Sequence, residues 1–267
     1  MSIRVCLAGA TGWAGSSLAR AIHQADDMEI VGAISRTHAG KSLGDALQMP
    51  EISMPVSSTA EDALSETCDV FVEYTKPDIA KHNILLALEA GAHVVVGTSG
   101  LTDDAYSEID ETAKSKERGV LACGNFALTV VLLQKFAEMA ARHIPHREIV
   151  DYAHSGKMDV PSGTARELSH RLGQIRHSAL DIPLEEIQGP RETRGASLNG
   201  TQVHSIRLPG YVISTEVIFG MPDQKLILRH EAGASSEIYV SGALLAIRKV
   251  STFTGLKRGL DSVMEFE

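Results

Sequence analysis

Basic charge is scarce in this sequence. Its 25 lysines and arginines are outnumbered by 34 aspartates and glutamates, for a formal net charge of −9. Nucleic-acid binding needs the reverse, a basic face that neutralises phosphates and releases their counterions, so nucleic acid is excluded as a principal partner. Long apolar runs are missing too. Stretches such as Val94-Val95-Val96 and Leu128 to Leu133 fall far short of the ~20 residues that a bilayer-spanning helix requires. The first residues show no basic segment followed by an apolar one, which is the pattern of an export signal. The expectation is a cytoplasmic protein with no membrane partner. Cysteine is sparse and odd in number: Cys6, Cys68 and Cys123 lie far apart, in or beside apolar runs. Buried reduced thiols in a reducing compartment are expected of them, not a disulfide framework. The His143 and His146 pair has no cysteine or carboxylate partners in a metal-like cluster, so no metal is expected.

What remains is a chain of 267 residues, 43% of them hydrophobic, enough for one large core or two ordinary ones. Ile3 to Ala8 is a short apolar run, followed by a glycine turn and a helical stretch, Ser16 to Ala25, with Leu18, Ala21 and Ile22 on one face. Further apolar runs at Ile30–Ile34, Val70–Tyr74, Val94–Gly97 and Val120–Cys123 are mostly separated by helix-like segments. Two of these segments, Ile79 to Ala90 and Asp103 to Glu117, are followed by Gly91 and Gly119, where a left-handed C-cap would fall. Alternation of this kind predicts an α/β fold, a Rossmann-like doubly wound parallel sheet covered on both faces.

The pattern changes after Gly124. A long helix around Val130 to Arg142, a strand at Glu148–Ala153 and a helix from Gly163 precede three strand-like runs, Gln202–Arg207, Val212–Phe219 and Lys225–Glu231. Pro209-Gly210 and Pro222-Asp223 turns break those runs. A last helix, Ile238 to Val250, is apolar all round and is expected to pack on the first domain. The division predicted is a dinucleotide-binding domain of residues 1–124 and 240–267, and an α+β domain of residues 125–239 with an antiparallel or mixed sheet for substrate binding and oligomerisation.

Gly9-Ala10-Thr11-Gly12-Trp13-Ala14-Gly15 stands between the first strand and the first helix. A dinucleotide site needs its glycines for the tight turn, for close approach of backbone to the pyrophosphate, and for helix packing. Gly9, Gly12 and Gly15 supply them, and the free N–H groups of the helix start suit the pyrophosphate. Where NAD-specific domains carry an acidic residue after the second strand, this chain has Ser35-Arg36. An arginine there favours a 2′-phosphate and hence NADPH, with NADH as the alternative. Two later strand-end loops, Gly97-Thr98-Ser99-Gly100 and Gly124-Asn125-Phe126, lie where ligands collect in such sheets and are candidates to line the nicotinamide. On chemistry alone they serve equally well as caps and turns.

The densest polar cluster is Asp151-Tyr152-Ala153-His154-Ser155-Gly156-Lys157-Met158-Asp159-Val160-Pro161-Ser162-Gly163-Thr164-Ala165. Ser162, Gly163 and Thr164 would set hydroxyls and amides at a helix N-terminus, a site for a carboxylate. His154 and Lys157 add a titratable acid and a cation. This segment, the glycine loop, Tyr74-Thr75-Lys76-Pro77, Gly97-Thr98-Ser99-Gly100, Asn125-Phe126 and the strands through His230 together resemble the 4-hydroxy-tetrahydrodipicolinate reductase family of lysine biosynthesis. The resemblance implies a Rossmann-like domain, an α+β domain for substrate and tetramerisation, and hydride transfer to a cyclic imine dicarboxylate. It also implies a homotetramer or homodimer. His154 corresponds to the family's second histidine, Lys157 to its lysine, and Gly163 and Thr164 to its carboxylate clamp. The first histidine, the family's usual proton donor, is replaced by Ala153, and Ser214-Thr215-Glu216 stands where Gly-Glu-His is common. Three readings follow: the ordinary reaction with the proton coming from His154, Tyr152 or water; reduction of another imine, enamine or keto acid; or a non-catalytic NADPH-binding sensor.

Overall fold

The computed structural model describes residues 2–266, which divide into two units: residues 2–128 with 236–266, and residues 129–235. The first unit is the expected parallel α/β sheet. Its elements are β1 (Ile3–Ala8), α1 (Trp13–Gln24), β2 (Met28–Ile34), short helices α2 (Leu43–Leu47) and α3 (Ala60–Ala63), β3 (Val70–Glu73), α4 (Pro77–Glu89), β4 (His93–Val96), α5 (Asp103–Ser115) and β5 (Gly119–Ala122). After the second unit the chain returns with α8 (Val240–Lys249) and β11 (Gly255–Arg258). The strand order is β11-β5-β4-β3-β1-β2, with every pairing parallel. The chain leaves β1 toward β2 on one side and resumes at β3 on the other, which makes the C-terminal end of β1 the switch point where such sheets open a crevice.

Strands β3 and β5 are buried at every position, as expected of strands sandwiched between helices. Phe71, Val94, Val96 and Val120 pack with Ile84 and Leu88 of α4 and Ile109 of α5. Four details differ from expectation. Helix α1 begins at Trp13, and its buried stripe is Gly15, Leu18, Ala19 and Ile22, the i, i+3, i+4, i+7 set; Ala21 falls off that face. After α5 the left-handed residue is Glu117 (φ 54°), not Gly119. Gly119 is instead required by crowding, since a Cβ there would lie 2.1 Å from the Val250 carbonyl oxygen. Helix α8 follows a 3-10 turn at Ser236–Tyr239 and is amphipathic, with Gly242, Ala243, Ala246 and Ile247 buried and Ser241 and Arg248 exposed. Cys68 is half-buried, whereas Cys6 and Cys123 are buried, and none of the three is joined in a disulfide.

The second unit contains α6 (Leu128–His143, from its second residue), β6 (His146–Ala153), α7 (Gly163–Ile175), β7 (Ala196–Leu198), β8 (Thr201–Arg207), β9 (Ile213–Met221) and β10 (Gln224–Ala232). The sheet order is β10-β9-β6-β8-β7, mixed because β6 and β8 run parallel while the other pairs are antiparallel. Leu133, Ala137 and Ala141 of α6 and Leu168 and Leu172 of α7 cover one face through Ile149, Val203, Val217 and Phe219. Strict alternation along β6 sends Arg147, Ile149, Asp151 and Ala153 into that buried face and His146, Glu148, Val150 and Tyr152 to the other. Strand β7 joins β8 through Asn199-Gly200, both at positive φ (47° and 71°), the backbone of a two-residue hairpin turn.

Candidate active site

In the first unit the glycine loop is so crowded at Gly9 and Gly15 that only glycine fits there. Gly9 has φ 82°, and a Cβ on it would lie 2.4 Å from the Tyr74 carbonyl oxygen; one on Gly15 would lie 2.1 Å from the Gly9 carbonyl oxygen. The Gly9 and Ala10 amides donate to the Ile34 carbonyl (2.9 and 3.1 Å), and the Gly12 amide donates to that of Gly9 (2.9 Å). The loop is thereby pinned to β1 and β2. Ala10 is buried, so its share in the cradle is to hold this turn. Gly12 is the N-cap of α1 and makes no side-chain cap, which leaves the amides of Trp13, Ala14 and Gly15 without helical partners. Such a bare, positively polarised helix start is a ready anion site, and the cradle fits a dinucleotide pyrophosphate.

Two clefts open beside this loop and share Tyr74, Thr75 and Lys76. The larger, about 660 Å³, is lined by Gly9, Thr11, Gly12, Ser35, Arg36, Thr37 and residues around Thr59 and His82. Thr11 Oγ1 lies 2.6 Å from Ser35 Oγ and 3.1 Å from His38 Nδ1, so hydroxyls tie the glycine loop to the end of β2. Arg36 is exposed here, with no carboxylate paired to it among the described residues. Glu61, which no sequence pattern places at this site, lines the same cleft, but its carboxylate engages His82 Nε2 at 2.8 Å. That contact holds the Glu61 pKa below the usual carboxylate range.

The smaller cleft, about 340 Å³, is lined by Trp13, Ala14, Tyr74 to Pro77, Gly97, Thr98, Ser99, Cys123, Gly124, Asn125, Phe126 and Tyr239. The structure thus brings both expected strand-end loops to one groove. Gly97 is obligatory, since a Cβ there would lie 2.2 Å from the Tyr74 ring. Asn125 Oδ1 accepts the Ala127 amide at 2.8 Å, and Phe126 packs on Tyr74 with ring centroids 5.7 Å apart. The residues missed as site residues, Tyr74 to Pro77 and Tyr239, follow β3 and precede α8. The strand-end rule applied to β3 would have found the former; Tyr239 carries no sequence signal.

In the second unit the polar segment leaves β6 at Ala153 and reaches the start of α7. A turn closes through the Lys157 amide and the His154 carbonyl (3.1 Å). The His154 residue is exposed, and Lys157 Nζ pairs with Asp159 Oδ1 at 2.7 Å. The ammonium holds the Asp159 carboxyl below the usual range. Beneath the segment is a buried anchor. Asp151 Oδ2 accepts the Ser162 amide (2.8 Å) and Arg207 Nη2 (2.7 Å), and Arg207 also donates to the Asp159 carbonyl (2.8 Å). Both ends of the Asp159–Ser162 stretch are therefore tied to the sheet. Ser162 departs from its expected substrate-facing role: it is 1% exposed and its hydroxyl caps α7 by accepting the Ala165 amide at 3.2 Å. That leaves the amides of Gly163 and Thr164 as the unsatisfied helix-start donors.

Ala153 is fully buried, between Arg207 of β8 and Ile213 of β9 in one row of the sheet. Tyr152 points to the opposite face, stacked on Tyr211 (5.2 Å) and under the Arg229 guanidinium (4.8 Å). The anchor and the start of α7 lie on the Asp151 face, so Tyr152 is not placed to act there. The second departure maps to β9, where Ser214, Thr215 and Glu216 stand opposite Tyr152, Asp151 and Val150. Among the described residues, no group of three metal-ligating side chains occurs and no helix is long and apolar enough to cross a membrane.

A parallel doubly wound sheet with a glycine cradle at its switch point and two strand-end loops on one groove defines a Rossmann-type oxidoreductase domain. Residues 3–126 match the family model for the dihydrodipicolinate reductase N-terminus and residues 129–264 that for its C-terminus. The chain belongs to the dihydrodipicolinate reductase family, NAD(P)H-dependent oxidoreductases of lysine and diaminopimelate biosynthesis. It is 36% identical over 265 residues to the 4-hydroxy-tetrahydrodipicolinate reductase of Desulfitobacterium hafniense, covering 98% of this chain and 99% of that one. A Bacillus cereus reductase of the same name is 32% identical over 264 residues, covering 98% of this chain and 99% of that one. Among solved structures, dipicolinate-bound dihydrodipicolinate reductase from Paenisporosarcina sp. TG-14 superposes with a TM-score of 0.89 at 30% identity, covering 99% of this chain and 100% of that one. An amine dehydrogenase from Mycobacterium smegmatis shares the fold, with a TM-score of 0.69 at 17% identity over 100% of this chain and 97% of that one.

Proposed function

We propose that this chain reduces the cyclic imine dicarboxylate 4-hydroxy-tetrahydrodipicolinate, with NADPH preferred over NADH, as a cytoplasmic homotetramer or homodimer. The observation that carries the substrate half is the shared anchor of the polar segment. The buried Asp151–Arg207 pair ties down both Asp159, whose carboxylate pairs with Lys157, and Ser162, the cap of the helix whose Gly163 and Thr164 amides are free. A cation and two amides fixed in this way are suited to a carboxylate. The relative described as bound to dipicolinate is consistent with a planar dicarboxylate as ligand.

A nicotinamide held in the first unit supplies hydride when bound. Gly9, Gly12 and Gly15 let the backbone approach its pyrophosphate, with Thr11, Trp13 and Ala14 around them. Arg36 takes the 2′-phosphate, and Gly97, Thr98, Ser99, Gly124, Asn125 and Phe126 line the nicotinamide end. In the second unit, Lys157, Gly163 and Thr164 orient the dicarboxylate. Reduction of the imine also needs a proton at nitrogen. The Ala153 methyl supplies none and Tyr152 faces away, which leaves His154 or a water it holds. The test is oxidation of NADPH by purified protein supplied with enzymatically generated substrate, with KM compared for NADPH and NADH. No turnover with that substrate refutes the assignment, and a clear NADH preference refutes the role of Arg36. Ala153 favours a second reading, a different imine, enamine or keto acid, which a substrate panel with the same readout distinguishes.

A further inference from the structure

Glu73 ends β3 and is the one acidic side chain of the first unit that is fully buried among the described residues. No lysine or arginine among the described residues pairs with it. Its charge is met by neutral donors from three separate segments. Oε1 accepts the Thr75 amide (2.6 Å), the Thr75 hydroxyl and the Thr98 hydroxyl (3.2 Å), while Oε2 accepts Asn83 Nδ2 (2.8 Å). The Thr98 hydroxyl is also 3.2 Å from the Glu73 carbonyl oxygen.

The three donor residues all line the two clefts of the first unit. Thr75 borders both clefts, Thr98 the smaller and Asn83 the larger. One carboxylate thus fixes the spacing of the loop after β3, the loop after β4 and the flank of α4. Burial pushes the Glu73 carboxyl above the ordinary glutamate range, with the hydrogen bonds pulling the other way. Holding an anion there works against stability, and a packed apolar side chain would be the cheaper choice if stability were the only demand.

We propose that Glu73 is a positioning residue for the cofactor: its carboxylate holds the Thr75 and Thr98 loops at one separation, so that the groove is formed before NAD(P)H arrives. This rests on the reading of the first unit as a working NAD(P)H site.

The test compares Glu73→Leu and Glu73→Gln with the unaltered protein, measuring Kd and KM for NADPH, KM for the imine substrate, kcat and Tm. Glu73→Leu should weaken NADPH about tenfold or more, the equivalent of one lost hydrogen bond to a charged group. KM for the imine should stay within about twofold. Glu73→Gln should recover most of the NADPH affinity, because its amide oxygen accepts from Thr75 and Thr98 while the Asn83 amide turns its oxygen toward the new NH₂. NADPH affinity in Glu73→Leu within about twofold of the unaltered protein overturns the proposal, as does Glu73→Gln behaving no better than Glu73→Leu. A parallel loss of cofactor affinity, imine affinity and Tm also overturns it, since that is what general destabilisation produces. If Glu73→Leu does not fold, Thr98→Val carries the test: it removes one donor and should raise KM for NADPH about threefold with Tm held; an unchanged KM overturns the proposal. Failure of the unaltered protein to bind either NADPH or NADH refutes the reading of function instead.

Discussion

Replacing Arg207 by methionine removes the guanidinium that pairs with Asp151, a carboxylate 0% exposed, from a position itself only 14% exposed. The guanidinium's hydrogen bonds to Asp151 Oδ2 (2.7 Å) and to the carbonyls of Asp159 (2.8 Å), Ile206 (3.0 Å) and Asp151 (3.2 Å) go with it. The Ser162 amide remains on the carboxylate at 2.8 Å, so the anion is left with one good donor and no counter-charge. Breaking a buried pair from one side costs roughly 3–5 kcal/mol, mostly as the uncompensated charge. The lower end is expected here, because the edge of Arg207 reaches water. Removing both charges in Asp151→Leu/Arg207→Met should restore much of the loss, since an apolar pair of similar volume is often neutral or better. Urea unfolding followed by far-ultraviolet circular dichroism measures both, with the coupling taken from the double-mutant cycle. Because the pair also holds the Asp159–Ser162 stretch, Arg207→Met should raise KM for the imine while leaving Kd for NADPH unchanged. Single variants that each cost under about 1 kcal/mol, or a double variant equal to their sum, refute the anchor.

Lys157→Ala should lower kcat/KM for the imine about 10²-fold, mainly through KM, as loss of one charge-assisted contact predicts; steady-state kinetics checks it, and an unchanged KM refutes the carboxylate role. Gly15→Ala places a Cβ 2.1 Å from the Gly9 carbonyl oxygen and should abolish NADPH binding in a fluorescence titration; retained affinity would show that the cradle is not the cofactor site. Ala153→His sets an imidazole in the row between Arg207 and Ile213. It should raise kcat by up to about 10²-fold if proton delivery limits the rate, whereas an unchanged kcat with a flat solvent isotope effect would place the slow step elsewhere. Burial raises the pKa of Glu73, which means that the folded state binds its proton more tightly than the unfolded state. Its contribution to stability is therefore full below the ordinary value of 4.5 and is lost as pH rises through the folded value. The Tm of Glu73→Gln relative to the unaltered protein should climb over that window, and a pH-independent difference would count against the shift.

The features legible in the sequence are those whose signal is local. Near-continuous apolar runs mark strands buried on both faces, and the glycines at 9, 12 and 15 mark a tight turn that is too crowded for a side chain at 9 and 15. Strand β11 escaped because Gly-Leu-Lys-Arg at a sheet edge needs no apolar run and leaves Lys257 and Arg258 exposed. Strand β7 escaped although Asn199-Gly200 is a strong hairpin signal, because its three residues are too short to show alternation. At the two candidate sites, the loops were legible as glycine, hydroxyl and amide residues directly after apolar strands, and Lys157 as a cation within a run of polar residues. Glu73 and Arg207 were not, since each lies in a strand with ordinary composition. Their importance depends on pairings with residues 2 to 25 positions away for Glu73 and 48 to 56 away for Arg207. Ser162 was misread for the related reason that a hydroxyl before a helix is equally a cap and a ligand, and only its burial decides between them. The residues that hold each unit's candidate site in shape are therefore the ones hidden from sequence patterning. A buried charge gains its meaning from the donors folded around it, and those are brought together only by the sheet.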